Sequence, residues 1–302
     1  MPPRRNFFGF AEIDRAGHLR RDAAWLRERL RDPGSRLLPV WRERNLFHGP
    51  ADPPRAVFLA PHEVAGAAEE AILLGRDAAG AVFAIDLSAH DDPLARLGRA
   101  APLEFLDLRR VGPLLDRADG SLLAYARGMV WWHSRHRFCG ICGSPTASAD
   151  AGHVRRCTGP SCGTTHFPRT DPAVIMLVTD GERALLGRQK SWPKGQFSTL
   201  AGFVEPGESL EDAVAREVRE ETGIVVDEVV YHSSQPWPFP ASLMLGFQAT
   251  ARTTDIAIDA VEIEDARWFD RRFILDHAED EAFRLPRPIS IARRLIDDWL
   301  GR

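Results

Sequence analysis

Residues 202–224, GFVEPGESLEDAVAREVREETGI, decide how the rest of this chain is read. Ser209 is placed as an N-cap with Asp212 three residues on. Ala213, Val214 and Val218 form an apolar stripe, and Gly223 stands where a helix ends. On that helix Glu217, Glu220 and Glu221 are related by steps of three and four, so their carboxylates leave one face. Such crowded carboxylates repel unless cations lie between them, and their hard oxygens suit Mg²⁺ or Mn²⁺. Arg216, four residues before Glu220, is positioned to pin one of them. Taken alone, a solvated acidic face with i,i+4 ion pairs gives the same pattern.

The loop in front of the helix separates these readings. Gly202, five residues, Glu208, seven residues, then Arg216-Glu217-Val218-Arg219-Glu220-Glu221, one residue and Gly223-Ile224 match the Nudix box at each constrained position. The resemblance to Nudix hydrolases implies hydrolysis of a nucleoside diphosphate joined to another moiety. Water attacks a phosphorus with the help of divalent metal ions.

Composition sets the frame. The 302 residues suffice for about two domains with a sizeable core. A composition of 44% hydrophobic and 27% charged residues with a net charge of −4 is that of an ordinary globular chain. Lys190 and Lys194 are the two lysines, and no basic run of five or more marks a large nucleic-acid footprint. An 18-residue apolar run, a positively flanked leader and a lipidation or targeting address are not found, so a cytoplasmic location and no membrane are expected.

Three regions are expected: 1–130, 131–167 and 168–302. In the first, helical periodicity covers 18–30, and apolar runs at 57–59, 71–74 and 81–85 read as strands, the last two joined by a turn at 77–80. Proline-bearing pieces at 33–39 and 50–54 read as connections. Leu73-Leu74-Gly75-Arg76 recurs as Leu185-Leu186-Gly187-Arg188, which suggests a degenerate copy of the later domain without its acidic helix. A helix over 121–136, capped at Gly120-Ser121, carries Leu122, Tyr125, Met129 and Trp132 along one side. Trp131 and Trp132 are expected in the core, and His133 and His136 at the surface or supporting a site.

All four cysteines lie within 24 residues, as Cys139-Gly-Ile-Cys142 and Cys157-Thr-Gly-Pro-Ser-Cys162. Two close pairs, each followed by glycine, are the two knuckles of a four-thiolate Zn²⁺ site with no open position, hence structural. Disulfides are disfavoured without a secretory signal, and a redox pair is the other alternative. Arg135, Arg137, Arg155 and Arg156 surround the knuckles, either as phosphate contacts or as a solvated face.

From Pro168-Arg169-Thr170-Asp171-Pro172 onward, strands are expected at 173–178, 184–188, 224–232, 243–249 and 267–269, residues 197–203 lead into the box, and a terminal helix is expected at 290–300. Composition supports α+β; the Nudix resemblance implies an α/β/α sandwich. Between two strands lies Ser234-Gln235-Pro236-Trp237-Pro238-Phe239-Pro240-Ala241-Ser242, stiffened by alternate prolines. Its aromatic faces and polar groups suit a nucleotide base, although aromatics that merely pack, or a proline-rich partner ligand, fit the loop equally.

With the box and the preceding cysteine knuckles, SQPWPFPxS resembles the signature of the NADH pyrophosphatase (NudC-type) subfamily. That resemblance implies metal binding by the Ala201 carbonyl, Glu217, Glu220, Glu221 and Glu262. It further implies substrate contacts from Gln235, Pro236, Trp237, Pro238, Phe239, Pro240, Ala241, Ser242 and Ala292, with Phe167 and Phe203 as stacking candidates. Glu221, with Glu220 beside it, is the expected catalytic base. NAD(H) would yield NMN(H) and AMP, NAD-capped RNA 5′ ends present the same bond, and a homodimer is expected. Two other readings stay open: a Nudix enzyme for ADP-ribose-type substrates, and a zinc-ribbon nucleic-acid binder or NAD-sensing regulator.

Overall fold

The computed structural model describes residues 5–9, 11–49, 53–64, 70–97, 102–277 and 282–302. Two compact units emerge. One contains residues 10–170 together with Trp237–Ala241; the other contains Met1–Gly9, Asp171–Pro236 and Ser242–Arg302.

The first unit begins with a short 3₁₀ turn, Gly17–Leu19, and helix α1 (Ala23–Arg29). The single helix expected at 18–30 is thus divided, because the Asp22 carboxylate accepts from Ala24 N and Trp25 N and starts a new helix there. Strands β1 (Arg36–Trp41), β2 (Arg44–His48), β3 (Arg55–Ala56), β4 (Ile72–Asp77) and β5 (Gly80–Asp86) follow, then α2 (Pro93–Leu97), β6 (Leu103–Leu106), α3 (Leu108–Val111) and α4 (Arg117–Arg135). Residues 36–39, expected as a connection, belong to β1. Leu37 exchanges both backbone bonds with Leu59, so the missing N–H of Pro39 points to the same side, where β2 pairing begins only at Val40. The strand expected at 57–59 shrinks to that bridge. Of the connection expected at 50–54, residues 50–52 lie outside the described residues.

Helix α4 starts four residues before the expected cap. The Asp116 carboxylate accepts from Asp119 N at 2.8 Å, whereas Ser121 turns its hydroxyl back to the Arg117 carbonyl inside the helix at 2.7 Å. Trp132 is buried on this helix. A three-stranded sheet completes the unit, in the order β7 (Thr146–Ala149), β8 (Val154–Cys157) and β9 (Thr165–His166).

The second unit is built on β10 (Asp171–Thr179), β11 (Arg183–Arg188), β12 (Leu200–Phe203), α5 (Leu210–Thr222), β13 (Val226–Trp237, its last residue packing with the first unit), β14 (Ser242–Ala251), β15 (Asp265–Asp270), α6 (Arg271–His277) and α7 (Ile291–Leu300). The sheet runs β13-β14-β10-β11-β15, with β12 antiparallel to β10. The continuous apolar run of β10 serves two faces. Val174, Met176 and Val178 join Val214 and Val218 of α5, while Ile175 and Leu177 join Leu295 and Ile296 of α7. That is the α/β/α sandwich.

The two large sheets have a common plan. In the first, β4-β5-β1-β2 centres on the parallel pair β5 and β1; in the second, β13-β14-β10-β11 centres on the parallel pair β14 and β10. Helix α4 packs on the first as α7 does on the second. The acidic helix has no counterpart among the described residues, where a 3₁₀ turn at Pro61–Val64 lies between β3 and β4. The repeated Leu-Leu-Gly-Arg is not what relates them. It occupies β4 in one sheet and β11 in the other, and β4 corresponds in the plan to β13. The suggestion of a degenerate copy therefore rests on topology and not on that tetrapeptide.

Candidate active site and metal centres

Helix α5 forms where its sequence dictates. The Ser209 hydroxyl accepts from Asp212 N at 3.1 Å and donates to the Asp212 carboxylate at 2.7 Å, and Gly223 ends the helix at φ 72°. Three carboxylates converge beside it: one oxygen each from Glu217, Glu221 and Glu262 lie within 4.8 Å of one another. Glu262 reaches the cluster because the chain after β14 folds back over the helix end. Ala257 N donates to Thr222 O at 2.8 Å and Asp259 N to Glu221 O at 3.2 Å, which also satisfies carbonyls left over by the last turn.

Glu220 takes no part in this cluster. It turns to Arg216 Nη1 at 2.8 Å and lines an open groove of about 660 Å³ with Arg216, Arg219 and Arg252. Of the three carboxylates expected on one helix face, the cluster contains two, Glu217 and Glu221, one turn apart and both buried. A step of three from Glu217 carries Glu220 outward, and a step of four keeps Glu221 in line.

Arg216 ties the loop to the helix more fully than its spacing indicated. Its Nε donates to Glu208 at 2.6 Å, Nη2 donates to Glu208 and to the Phe203 carbonyl, and Nη1 reaches Glu217 as well as Glu220. Glu208, a fixed position in the motif, is thereby tied to the helix through Arg216. The loop glycine has an equally definite role: a Cβ on Gly202 would lie 1.8 Å from the Glu217 carboxyl carbon. Ala201, beside it on β12, pairs with Ile175 and is exposed.

The electrostatics suit a cation. Burial, followed by the charges of Glu217 and Glu262, pushes the Glu221 carboxyl up to about 8, and burial also raises Glu217 against the pull of Arg216. Glu221 Oε2 is buried without a hydrogen-bond partner. An orphaned carboxylate oxygen within a cluster of hard donors is what a divalent cation would satisfy, so these residues fit Mg²⁺ or Mn²⁺.

The four cysteines also converge, with their sulfurs within 4.8 Å of one another: Cys139 and Cys162 at 3.8 Å, Cys142 and Cys157 at 3.4 Å. Ile141 N points at Cys139 Sγ at 3.4 Å and Gly159 N at Cys157 Sγ at 3.3 Å. Hydrogen bonds from Ser144 draw the Cys142 thiol down to about 6, whereas at Cys157 the lowering by the Gly159 N–H is outweighed by burial and the neighbouring sulfurs, which raise it. Four such thiolates fit a closed tetrahedral Zn²⁺.

The expected substrate residues divide into two groups. Phe167 and Phe203 are half exposed or more, Pro236 and Pro240 are exposed, and Trp237, Phe239 and Ser242 are partly exposed. Gln235 is fully buried, and its amide is hydrogen-bonded within the chain. Its Nε2 donates to Phe7 O and Ile289 O, and its Oε1 accepts from Ile291 N at 2.7 Å. Ala292 is buried in the core between sheet and α7, and Pro238 and Ala241 are buried as well. The piece expected as a loop is strand through Trp237, so only residues 238–241 form the turn.

Asn6 is a residue that sequence gave no reason to notice. It is buried, donates to Ser233 Oγ and Ser234 O, and accepts from Arg294. No periodicity or motif marks a residue whose partners lie more than 220 positions away.

Comparison with known proteins agrees with this architecture. The NUDIX domain model matches residues 169–286, the NADH pyrophosphatase zinc ribbon domain residues 134–167, and the NADH pyrophosphatase-like rudimentary NUDIX domain residues 34–132. A curated relative named NAD-capped RNA hydrolase NudC, from Mycobacterium bovis, is 40% identical over 303 residues, covering 95% of this chain and 92% of that protein. NAD-capped RNA hydrolase NUDT12 from Homo sapiens is 46% identical over 197 residues, covering 62% of this chain and 43% of that protein. The chain thus spans less than half the length of the NUDT12 relatives it matches. A crystal structure of a NUDIX hydrolase from Nitrosomonas europaea aligns with a TM-score of 0.40 at 22% identity, covering 49% of this chain and 97% of that one. The chain belongs to the Nudix hydrolase family, in its NADH pyrophosphatase, NudC-type branch.

Proposed function

We propose that this chain hydrolyses the diphosphate bond of NAD(H), giving NMN(H) and AMP, and removes NAD caps from RNA 5′ ends. The observation that carries the reading is the cluster of the buried Glu217 and Glu221 with the exposed Glu262, and the orphaned Glu221 oxygen within it. The names borne by the relatives at 40% and 46% identity support the choice of substrate.

Glu217, Glu221 and Glu262 would hold the catalytic Mg²⁺ or Mn²⁺, assisted by the Ala201 carbonyl, with Glu220 outside the cluster. A divalent cation held there would supply charge neutralisation for the diphosphate and activation of water. Glu221 takes the proton of the attacking water; the water oxygen bonds to phosphorus, and the bridging P–O bond breaks toward the leaving phosphate. Arg216 fixes Glu217 and the loop carbonyl at Phe203 so that the carboxylates do not reorganise during the step. Phe167, Phe203, Trp237 and Phe239 supply flat apolar surface for the bases. Cys139, Cys142, Cys157 and Cys162 hold a structural Zn²⁺. We assign 1–130, 131–167 and 168–302 as the three domains. A homodimer and a cytoplasmic location complete the reading. Among the described residues, no helix is long and apolar enough to cross a membrane.

The test is incubation of the zinc-loaded protein with NADH, ADP-ribose or NAD-capped RNA and Mn²⁺ or Mg²⁺, with products separated by chromatography. Reduced nicotinamide mononucleotide and AMP are expected from NADH. Glu221→Gln should lower the rate by about 10²–10⁴ while keeping fold and zinc. Faster cleavage of ADP-ribose would reassign the substrate, and no cleavage by folded protein would point to a binding module.

A further inference from the structure

The Trp237–Ala241 segment packs with the first unit, and one buried arginine of that unit holds it. Arg127 leaves the middle of α4 and is 6% exposed. A buried guanidinium destabilises a fold unless each face of it is engaged. Here Nε donates to the Pro238 carbonyl at 2.7 Å, Nη2 donates to Glu43 at 2.8 Å, and the guanidinium carbon lies 5.0 Å from the centre of the Phe239 ring. Arg109 stands 4.8 Å from that same ring centre. Phe239 in turn meets Trp237 edge-on at 5.1 Å. Pro238 and Pro240 have no N–H with which to anchor this turn, and their fixed φ angles pass the constraint from one held carbonyl along the segment.

We infer that Arg127 is a positioning residue for the aromatic segment, fixing Pro238 and Phe239 and through Phe239 the ring of Trp237. The inference rests on the reading above that this segment contacts the dinucleotide. The planar fork of arginine makes two directed bonds while its face covers a ring, which a lysine cannot do. Glu43 completes the arrangement from the turn between β1 and β2, where Arg42 and Glu43 both have positive φ, 44° and 64°. A two-residue hairpin turn of that type favours glycine, so the left-handed backbone at Glu43 is tolerated there and its carboxylate is what distinguishes it.

The test compares Arg127→Met, Arg127→Lys, Glu43→Gly and Trp237→Ala with the full-length zinc-loaded protein, measuring kcat and KM for NADH with Mn²⁺, zinc content and melting temperature. Arg127→Met should raise KM about tenfold with kcat within about threefold, and Arg127→Lys should recover part of the loss. Glu43→Gly should raise KM about threefold with the fold intact, because glycine relieves the turn while removing the carboxylate; it decides the matter should Arg127→Met not fold. If Trp237→Ala raises KM but neither Arg127→Met nor Glu43→Gly does, the positioning inference is overturned. If Trp237→Ala leaves KM unchanged, the reading of the segment as a substrate contact falls, and this inference with it. A lowered melting temperature with unchanged KM in the Arg127 and Glu43 variants would leave Arg127 a purely structural role and also overturn it.

Discussion

Gly202 lies directly beneath the carboxylate of Glu217, so close that a methyl group on Gly202 would sit 1.8 Å from the carboxyl carbon and 2.0 Å from one of its oxygens. Glycine is needed there for the space it leaves and not for its backbone freedom. The obstructed atoms are the far end of a flexible side chain, so a substitution would move the carboxylate and spare the backbone. Gly202→Ala is expected to lower kcat by about 10²-fold, the scale of effect for a catalytic group misplaced by an ångström, with the melting temperature nearly unchanged. Steady-state kinetics beside a thermal melt checks it; wild-type kcat would mean that Glu217 has room to shift without consequence.

The zinc centre should be separable from the chemistry. Cys157→Ser replaces a buried sulfur that accepts from Gly159 N with a hard oxygen, a poor match for a four-thiolate Zn²⁺ site. Elemental analysis is expected to find one zinc per chain in the wild type and a clear deficit in the variant. Retention of a full complement would show that three sulfurs suffice.

A pH dependence of stability should come from His153. Burial first, and then the charges of Arg20 and Arg15, depress its pKa from 6.5 to about 4, while Nε2 donates to the Leu73 carbonyl at 2.7 Å. The unfolded chain then binds a proton that the folded chain refuses. The stabilising contribution is present above pH 6.5 and is lost as pH falls toward 4. Its size is about 3 kcal/mol, from 1.36 kcal/mol per pKa unit. His153→Gln keeps a donor for Leu73 without a titrating ring, so the difference between variant and wild-type unfolding free energy should change by that amount across the window. Parallel curves would contradict the assignment.

The N-terminal segment should stabilise the catalytic unit. Asn6 bonds Ser233 Oγ at 2.9 Å, Ser234 O at 2.8 Å and Arg294 at 3.0 Å, while the neighbouring Phe7 carbonyl accepts from Gln235. Asn6→Ala leaves buried polar groups unmatched and is expected to cost about 1–3 kcal/mol in urea unfolding, with zinc content unaffected. A loss of a few tenths would mean that water replaces the amide.

The acidic helix, its caps and the four-thiolate knuckles were legible in the sequence because each depends on spacing within about two dozen residues. Ser209 with Asp212, Gly223, and the i,i+4 step from Glu217 to Glu221 specify their geometry through the backbone itself. Even there the sequence admitted Glu220 as a third ligand. The helical step of three carries Glu220 outward, where Arg216, four residues before it on the same helix, holds it at 2.8 Å. The start of α4 is ambiguous in the sequence because Asp116 and Ser121 are both good caps in isolation, and the helix takes the earlier one.

What tertiary structure alone decided are contacts between distant positions. The Gln235 amide is hydrogen-bonded to Phe7, Ile289 and Ile291, and Ala292 is buried in the core between sheet and α7. Glu262 joins the site because residues 257 and 259 bond back to the end of α5. Arg127 meets Pro238 only because the turn packs with the first unit. Local patterns record the period and the caps of an element, but the partner of a buried polar group is set by which elements pack together, and that choice depends on the whole chain.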